Sequence, residues 1–133
     1  MKLTKGFKNL HAGKAQTLTI TKVVYDEKFD KMRVHFKDEE GGTGIEQLMF
    51  VSKDDKPNEV ALNIFSTIVK CALHDWSLEE IDDFDALVGC QVIADVTEDE
   101  VEMKNGEVRV FTHLRNYKEA PTDAEDFDLE GIL

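Results

Sequence analysis

The nine residues Phe29–Lys37 read FDKMRVHFK, and from Lys31 onward basic and apolar side chains alternate without a break. On an extended backbone Met32, Val34 and Phe36 share one face, while Lys31, Arg33, His35 and Lys37 share the other. A period of two over this length argues for a strand with one side buried and one side in water. The buried side asks for a sheet and a core. The solvated side is a row of cations, so the same stretch bears on function.

Working outward, Thr17–Tyr25 (TLTITKVVY) is rich in β-branched residues and reads as a first strand, with Leu18 and Ile20 on one face. Asp38–Gly44 (DEEGGTG) is a turn or flexible loop, and Ile45–Ser52 (IEQLMFVS) a third strand. Its inner set is Ile45, Gln47, Met49 and Val51 or the opposite one, because apolar residues stand at both parities. Lys53–Asn58 is a loop containing Pro57, after which Asn58 caps a helix over Glu59–His74. Val60, Ile64, Ile68 and Cys71 recur there at helical spacing. Ser77 and Glu80 have capping-box spacing for a short second helical turn, Asp82–Leu87 follows, and Gly89 ends it. Cys90–Thr97 (CQVIADVT) reads as a fourth strand, Asn105-Gly106 as a hairpin turn, and Glu107–Lys118 as a fifth strand. In that fifth strand Val108, Val110, Thr112 and Leu114 are assigned inward. Arg109, Phe111, His113, Arg115 and Tyr117 are assigned outward.

Three strands, a helix and two strands give a mainly β fold with the connectivity of the five-stranded OB-fold, a Greek-key barrel with one helix between strands 3 and 4. A ferredoxin-like α+β domain would need a helix between the first two strands, where none is read. The expected organisation is a basic arm over residues 1–16, the OB domain over 17–120 and an acidic, disordered tail over 121–133. With 133 residues and 41% hydrophobic content the chain suits one domain with one core. No stretch approaches the ~18 apolar residues of a membrane span, so no membrane partner is expected. The N-terminus lacks an apolar signal region, and two cysteines imply no disulfide framework, so the expected location is the cytoplasm.

A net charge of −12 speaks against a polyanionic ligand until its distribution is considered. Residues 1–25 contain Lys2, Lys5, Lys8, Lys14 and Lys22 and no acid. Residues 75–102 contain Asp75, Glu79, Glu80, Asp82, Asp83, Asp85, Asp95, Glu98, Asp99, Glu100 and Glu102 and no base. Local field, not net charge, steers a ligand, and this chain is polarised. The two outward strand faces combine cations with rings, the pairing that tracks phosphates and stacks on unpaired bases. Lys22, Tyr25 and Phe50 extend that platform, and Lys5, Phe7, Lys8 and Lys14 of the arm can close over it. Burial statistics favour Phe50 as a core residue.

Metal and catalytic readings carry less. Cys71 and His74 stand three apart on the helix, and a zinc site would need Cys90 and His113 as well. A thiol in an apolar helical stripe is more often packed, and no metal or other cofactor is expected. A nuclease would have to pair Asp95 with Glu102 and Lys104, the lysine at the lip of a hairpin. No phosphate-binding loop, nucleophile elbow or zinc-protease signature occurs, and the chain reads as a non-enzyme.

The passage IFSTIVKCALHDWSLEEIDDFDALVGCQVIADV, the hairpin and strand NGEVRVFTHLRNYKEA and the acidic end PTDAEDFDLEGIL together resemble the small single-stranded-DNA-binding proteins of phage replication and recombination modules. The resemblance covers the whole chain diffusely. It implies an OB barrel, single-stranded DNA bound with little sequence preference, a homo-oligomer and, if phage-encoded, the bacterial host cytoplasm. Asp126, Phe127, Asp128, Leu129, Ile132 and Leu133 resemble the acidic tip by which bacterial single-stranded-DNA-binding proteins recruit replication and recombination partners. That tip ends in Pro-Phe, whereas this chain ends in Ile132-Leu133. Beside the DNA-binding reading stand an acidic protein-interaction or DNA-mimic module and a metal-dependent nuclease.

Overall fold

The computed structural model describes residues 1–2, 9–52 and 54–121. The expectations for Lys5, Phe7 and Lys8 and for the tail residues Asp126–Leu133 lie outside these residues. Five strands, β1 (Gly13–Asp26), β2 (Lys31–Lys37), β3 (Thr43–Met49), β4 (Gln91–Glu102) and β5 (Val108–Glu119), form one antiparallel sheet in the order β3-β2-β1-β4-β5. One helix, α1 (Glu59–Leu73), lies between β3 and β4 in sequence and packs on β3, β4 and β5. The edge strands β3 and β5 approach one another without pairing, so the sheet curls but is not closed.

Curl originates in three irregularities. Strand β1 serves two neighbours, its first half pairing with β4 and its second with β2. A bulge at Thr21 separates the halves and resets which residues face inward. Gln16, Leu18 and Ile20 face in before it, Val23 and Tyr25 after it. The other two bulges flank β4. Lys14 and Ala15 stand opposite Asp95 on the β1 side, and Asn116 and Tyr117 stand opposite Ala94 on the β5 side. Ala15 (φ 52) and Asn116 (φ 58) both take left-handed backbone. The Asp95 carboxylate holds both, accepting from the Ala15 amide (2.8 Å) and the Asn116 side-chain amide (2.8 Å).

The alternation of β2 is realised as read: Met32, Val34 and Phe36 are buried. They join Leu18, Ile20 and Val23 of β1, Val92, Ala94 and Val96 of β4, and the α1 residues Ala61, Phe65, Ile68, Val69, Cys71 and Ala72. Asn58 caps the helix, its side chain accepting from the Ala61 amide, and His74 (φ 54) ends it. The Ser77–Glu80 capping box is not used. Ser77 instead bonds back to Asp75, and a 3-10 turn over Phe84–Leu87 starts from Asp83. Asn105-Gly106 makes the hairpin as expected, with Gly106 at φ 84. For β3 the structure selects the set opposite to Ile45, Gln47 and Met49. Gly44, Glu46 and Leu48 point inward.

The N-terminal approach is not wholly an arm. Strand β1 starts at Gly13, and Leu10 is fully buried in the core. Leu10 sits so close to Gly44 that a Cβ there would lie 2.6 Å from Leu10 Cδ1. The turn between β2 and β3 is held by Asp38, whose side chain is 4% exposed. Its Oδ2 accepts from the His11 amide (2.9 Å) and faces His11 Nδ1 (2.8 Å), while Oδ1 accepts from the Glu40 and Gly42 amides (3.0 and 2.7 Å). Burial works to raise the Asp38 pKa, but the His11 contacts and the two turn amides outweigh it and hold the carboxyl at about 2.

Glu46, on the inner side of β3, is the opposite case, since burial pushes its carboxyl up to about 7. The two groups give stability a predictable pH profile. A depressed folded pKa at Asp38 stabilises fully above its unfolded value near 4, and roughly 2 kcal/mol is lost as pH falls towards 2. A raised folded pKa at Glu46 stabilises fully below its unfolded value, and that share is lost as pH rises through about 7. Glu46→Gln is therefore more stable than the wild type at pH 8, by about 1–2 kcal/mol after allowing for residual solvent contact, and equal to it at pH 4.5. Urea denaturation at both pH values measures this. A wild type as stable as Glu46→Gln at pH 8 would refute the buried, ionising carboxyl.

Candidate nucleic-acid interface

The outer face of the curled sheet is set by the ladder pairings. Lys22 stands opposite His35, Val24 opposite Arg33 and Asp26 opposite Lys31 across β1 and β2. On the other side, His35 faces Ile45, Arg33 faces Gln47, and Lys31 faces Met49. Cross-strand partners share a face, so Lys22, Lys31, Arg33, His35 and Lys37 form one basic field, with Asp26 at its end opposite Lys31 and the exposed Ile45 and Met49 along its border. Arg33 Nε donates to Gln47 Oε1 at 3.3 Å, which orients the guanidinium along the face. Among the described residues no carboxylate lies within ion-pair distance of Lys22, Lys31, Arg33 or Lys37.

Where β3 and β5 face each other unpaired, a cleft of about 660 Å³ opens. Thr21, His35 and Ile45 line it from one side, and Val110, Phe111 and Thr112 from the other. Phe111 is exposed, and its ring is part of a rigid strand at the rim. The cleft therefore has His35 on its floor, where it meets the basic field of β1 and β2, and an aromatic and aliphatic wall on its β5 side, where a ring can stack on an unpaired base.

Sequence expectations for β5 hold over part of the strand only. Arg109, Phe111, His113 and Arg115 are exposed on the side assigned to them. The basic ones among them, however, stand beside acids. Arg109 lies 3.8 Å from Glu107, His113 2.9 Å from Asp99, and Arg115 pairs in the ladder with Asp95. Val108 and Val110, assigned inward, are exposed because the hairpin runs past the core.

Tyr117 was expected outward and is inward. The bulge at Asn116 flips the strand's parity, so Leu114 and Tyr117 both turn to the core, and the Tyr117 ring lies 6.3 Å from that of Phe36. Its hydroxyl is buried with no partner among the described residues, and burial, then the nearby Glu46 charge, raises its pKa. Phe50 is likewise buried, in an aromatic cluster with Phe65 and Tyr25. Tyr25 is half-exposed at the rim of that cluster, against Phe84, and its hydroxyl bonds to Asp30. These three rings do not belong to the basic face. Sequence reasoning missed Phe29, exposed on the β1–β2 turn with the ammonium groups of Lys28 and Lys31 each 5.3 Å from its ring. The signal was its position one residue before a turn aspartate, misread as the strand's first residue.

The four candidate zinc ligands do not gather. Cys71 is buried in the helix–sheet core, His74 lies 3.4 Å from Glu119, and His113 is paired with Asp99. Among the described residues no group of three or more metal-ligating side chains converges, and no helix is long and apolar enough to cross a membrane. Asp95, the carboxylate a nuclease would give to a metal, is engaged by Ala15 and Asn116. No protein-family model matches this chain, and no curated protein matches it in sequence.

Placing Tyr117 in the core has a measurable consequence. Tyr117→Phe removes an unpaired buried hydroxyl while keeping the ring, so stability is unchanged or rises by up to about 1 kcal/mol. Tyr117→Ala loses about 3 kcal/mol or more through the cavity it leaves. Thermal melts of both variants check this, and a strongly destabilised Tyr117→Phe would show that the hydroxyl has a partner.

Proposed function

We propose that this chain is a non-enzymatic single-stranded-nucleic-acid-binding protein, built as an open OB-type barrel, that seats the strand across the outer face of β1, β2 and β3 and into the cleft beside β5. The observation that carries this reading is the unpaired basic field of Lys22, Lys31, Arg33 and Lys37, next to a cleft walled by Ile45 and Phe111. Cations without carboxylate partners are available to phosphates, and each phosphate contact releases condensed counterions. Phe111 and Phe29 supply rings for stacking at two ends of the face. The strand order β3-β2-β1-β4-β5, with the helix between β3 and β4, supports the OB reading because the unpaired edges are the two that such a barrel would join. The exposed cations of β5 contribute less, as acids offset them. Recruitment of replication or recombination proteins by residues 122–133, and assembly into a homo-oligomer, complete the proposal.

Fluorescence anisotropy with labelled oligo-dT tests it. Binding at micromolar protein in low salt, weakening steeply as salt rises, is the expected result. Arg33→Ala lowers affinity by about tenfold and flattens the log–log salt slope by roughly one. Phe111→Ala costs about 1–3 kcal/mol with the slope kept, as expected for stacking. Asp82→Ala, on an exposed segment far along the chain from the face, leaves affinity unchanged. Absence of binding in low salt would overturn the proposal. Capture of a DNA-binding enzyme that DNA displaces would favour the DNA-mimic module instead.

A further inference from the structure

The chain has four histidines, and three of them face carboxylates. His11 lies between Asp38 and Glu40, His74 beside Glu119, and His113 beside Asp99. His35 differs. It stands at the floor of the β3–β5 cleft with Lys22 directly across the ladder and Arg33 two residues along its own strand. Lys37 follows on β2, and the β3 neighbours Thr43, Ile45 and Gln47 are uncharged. The β5 residues lining the cleft, Val110, Phe111 and Thr112, are uncharged as well. The hairpin acids Glu98 and Glu100 are carried by β4, which contributes nothing to the cleft lining. Glu46 faces the inner side of β3.

Burial, then Lys22 and Arg33, lowers the His35 pKa below its ordinary value, so the empty site holds the ring neutral at pH 7. A ligand that brings negative charge between Lys22 and Arg33 reverses that field. The imidazole then gains by taking up a proton and donating from a second ring nitrogen.

Resting on the reading of the cleft as a single-stranded-nucleic-acid site, we propose that His35 couples strand binding to proton uptake: a backbone phosphate seated between Lys22 and Arg33 draws one proton from solvent onto the imidazole, and the site holds the strand more tightly as pH falls. Linkage makes the effect reciprocal, so bound strand raises the proton affinity of His35 by the factor by which protonation raises strand affinity. One proton limits the gain to about tenfold per pH unit.

Oligo-dT affinity at pH 7.5 and 5.5, at constant ionic strength, is the test. Wild type binds about three- to tenfold tighter at pH 5.5, and calorimetry in two buffers of unlike ionisation enthalpy registers proton uptake at pH 7. His35→Gln binds equally at both pH values and takes up no proton. Glu46→Gln, which removes the inward carboxyl that burial pushes up to about 7, and His74→Asn keep the wild-type dependence. Melting curves at both pH values confirm that each variant is folded. Equal wild-type affinity at both pH values, or a dependence that survives in His35→Gln, overturns the coupling while leaving the binding site standing. No binding at either pH overturns the site, and the coupling with it.

Discussion

Two hydrogen bonds to one carboxylate govern the shape of this protein. Asp95 sits on β4, between β1 and β5, and takes the Ala15 amide from one side and the Asn116 side chain from the other. Each partner is the left-handed residue of a bulge, and each bulge bends its strand. A flat five-stranded sheet would leave β3 and β5 at opposite margins. Bent on both sides of β4, and again at Thr21, it brings these margins together and makes the cleft between them. Two polar partners and Lys14 and Lys118 keep the Asp95 carboxyl below its usual pKa, so the charge that holds the bulges persists through the neutral range.

The curl then sorts charge. Basic residues of β1 and β2 end on the outer face, where Asp26 stands opposite Lys31 but no ion pair forms among the described residues, whereas those of β5 lie along the acids of β4. A chain of net charge −12 thus presents a cationic field on β1 and β2, because strand order places the acidic strand β4 two positions away from β2. Composition alone gives no sign of such a field.

What could be read from residues and what could not divides along one physical line. Strand β2 was legible because all seven residues obey one period and no bulge interrupts them. Helix α1 was legible from Asn58 and from Ile68 and Cys71 in its apolar stripe, though Val60 of that stripe is exposed, and the hairpin from Asn105-Gly106. Tyr117 and Tyr25 were misassigned because a single extra residue, Asn116 or Thr21, reverses every parity beyond it. Such a residue leaves no mark in a pattern of alternation. The face of β3 was undecidable in principle, since Ile45 and Met49 are as apolar as Leu48 and Phe50, and the inward set includes the half-buried, charged Glu46. Leu10 escaped notice because it packs against the distant Gly44, whose lack of a side chain leaves it room, and not against its neighbours in sequence.

The dual pairing of β1 also bears on how the chain reaches this state. Its second half meets β2 across a short turn, β2 meets β3 across a second, and β4 meets β5 across a third, so these hairpins are local. Its first half meets β4 across most of the sequence, with Ala15 and Asp95 eighty residues apart. Closing so long a loop before contacts reward it is entropically slow. Local contacts close first on entropic grounds, so these hairpins and α1 precede the docking along β1. The bond that shapes the finished sheet is, on this account, among the last to form, and substitutions at Asp95 act on the rate of unfolding more than on the rate of folding.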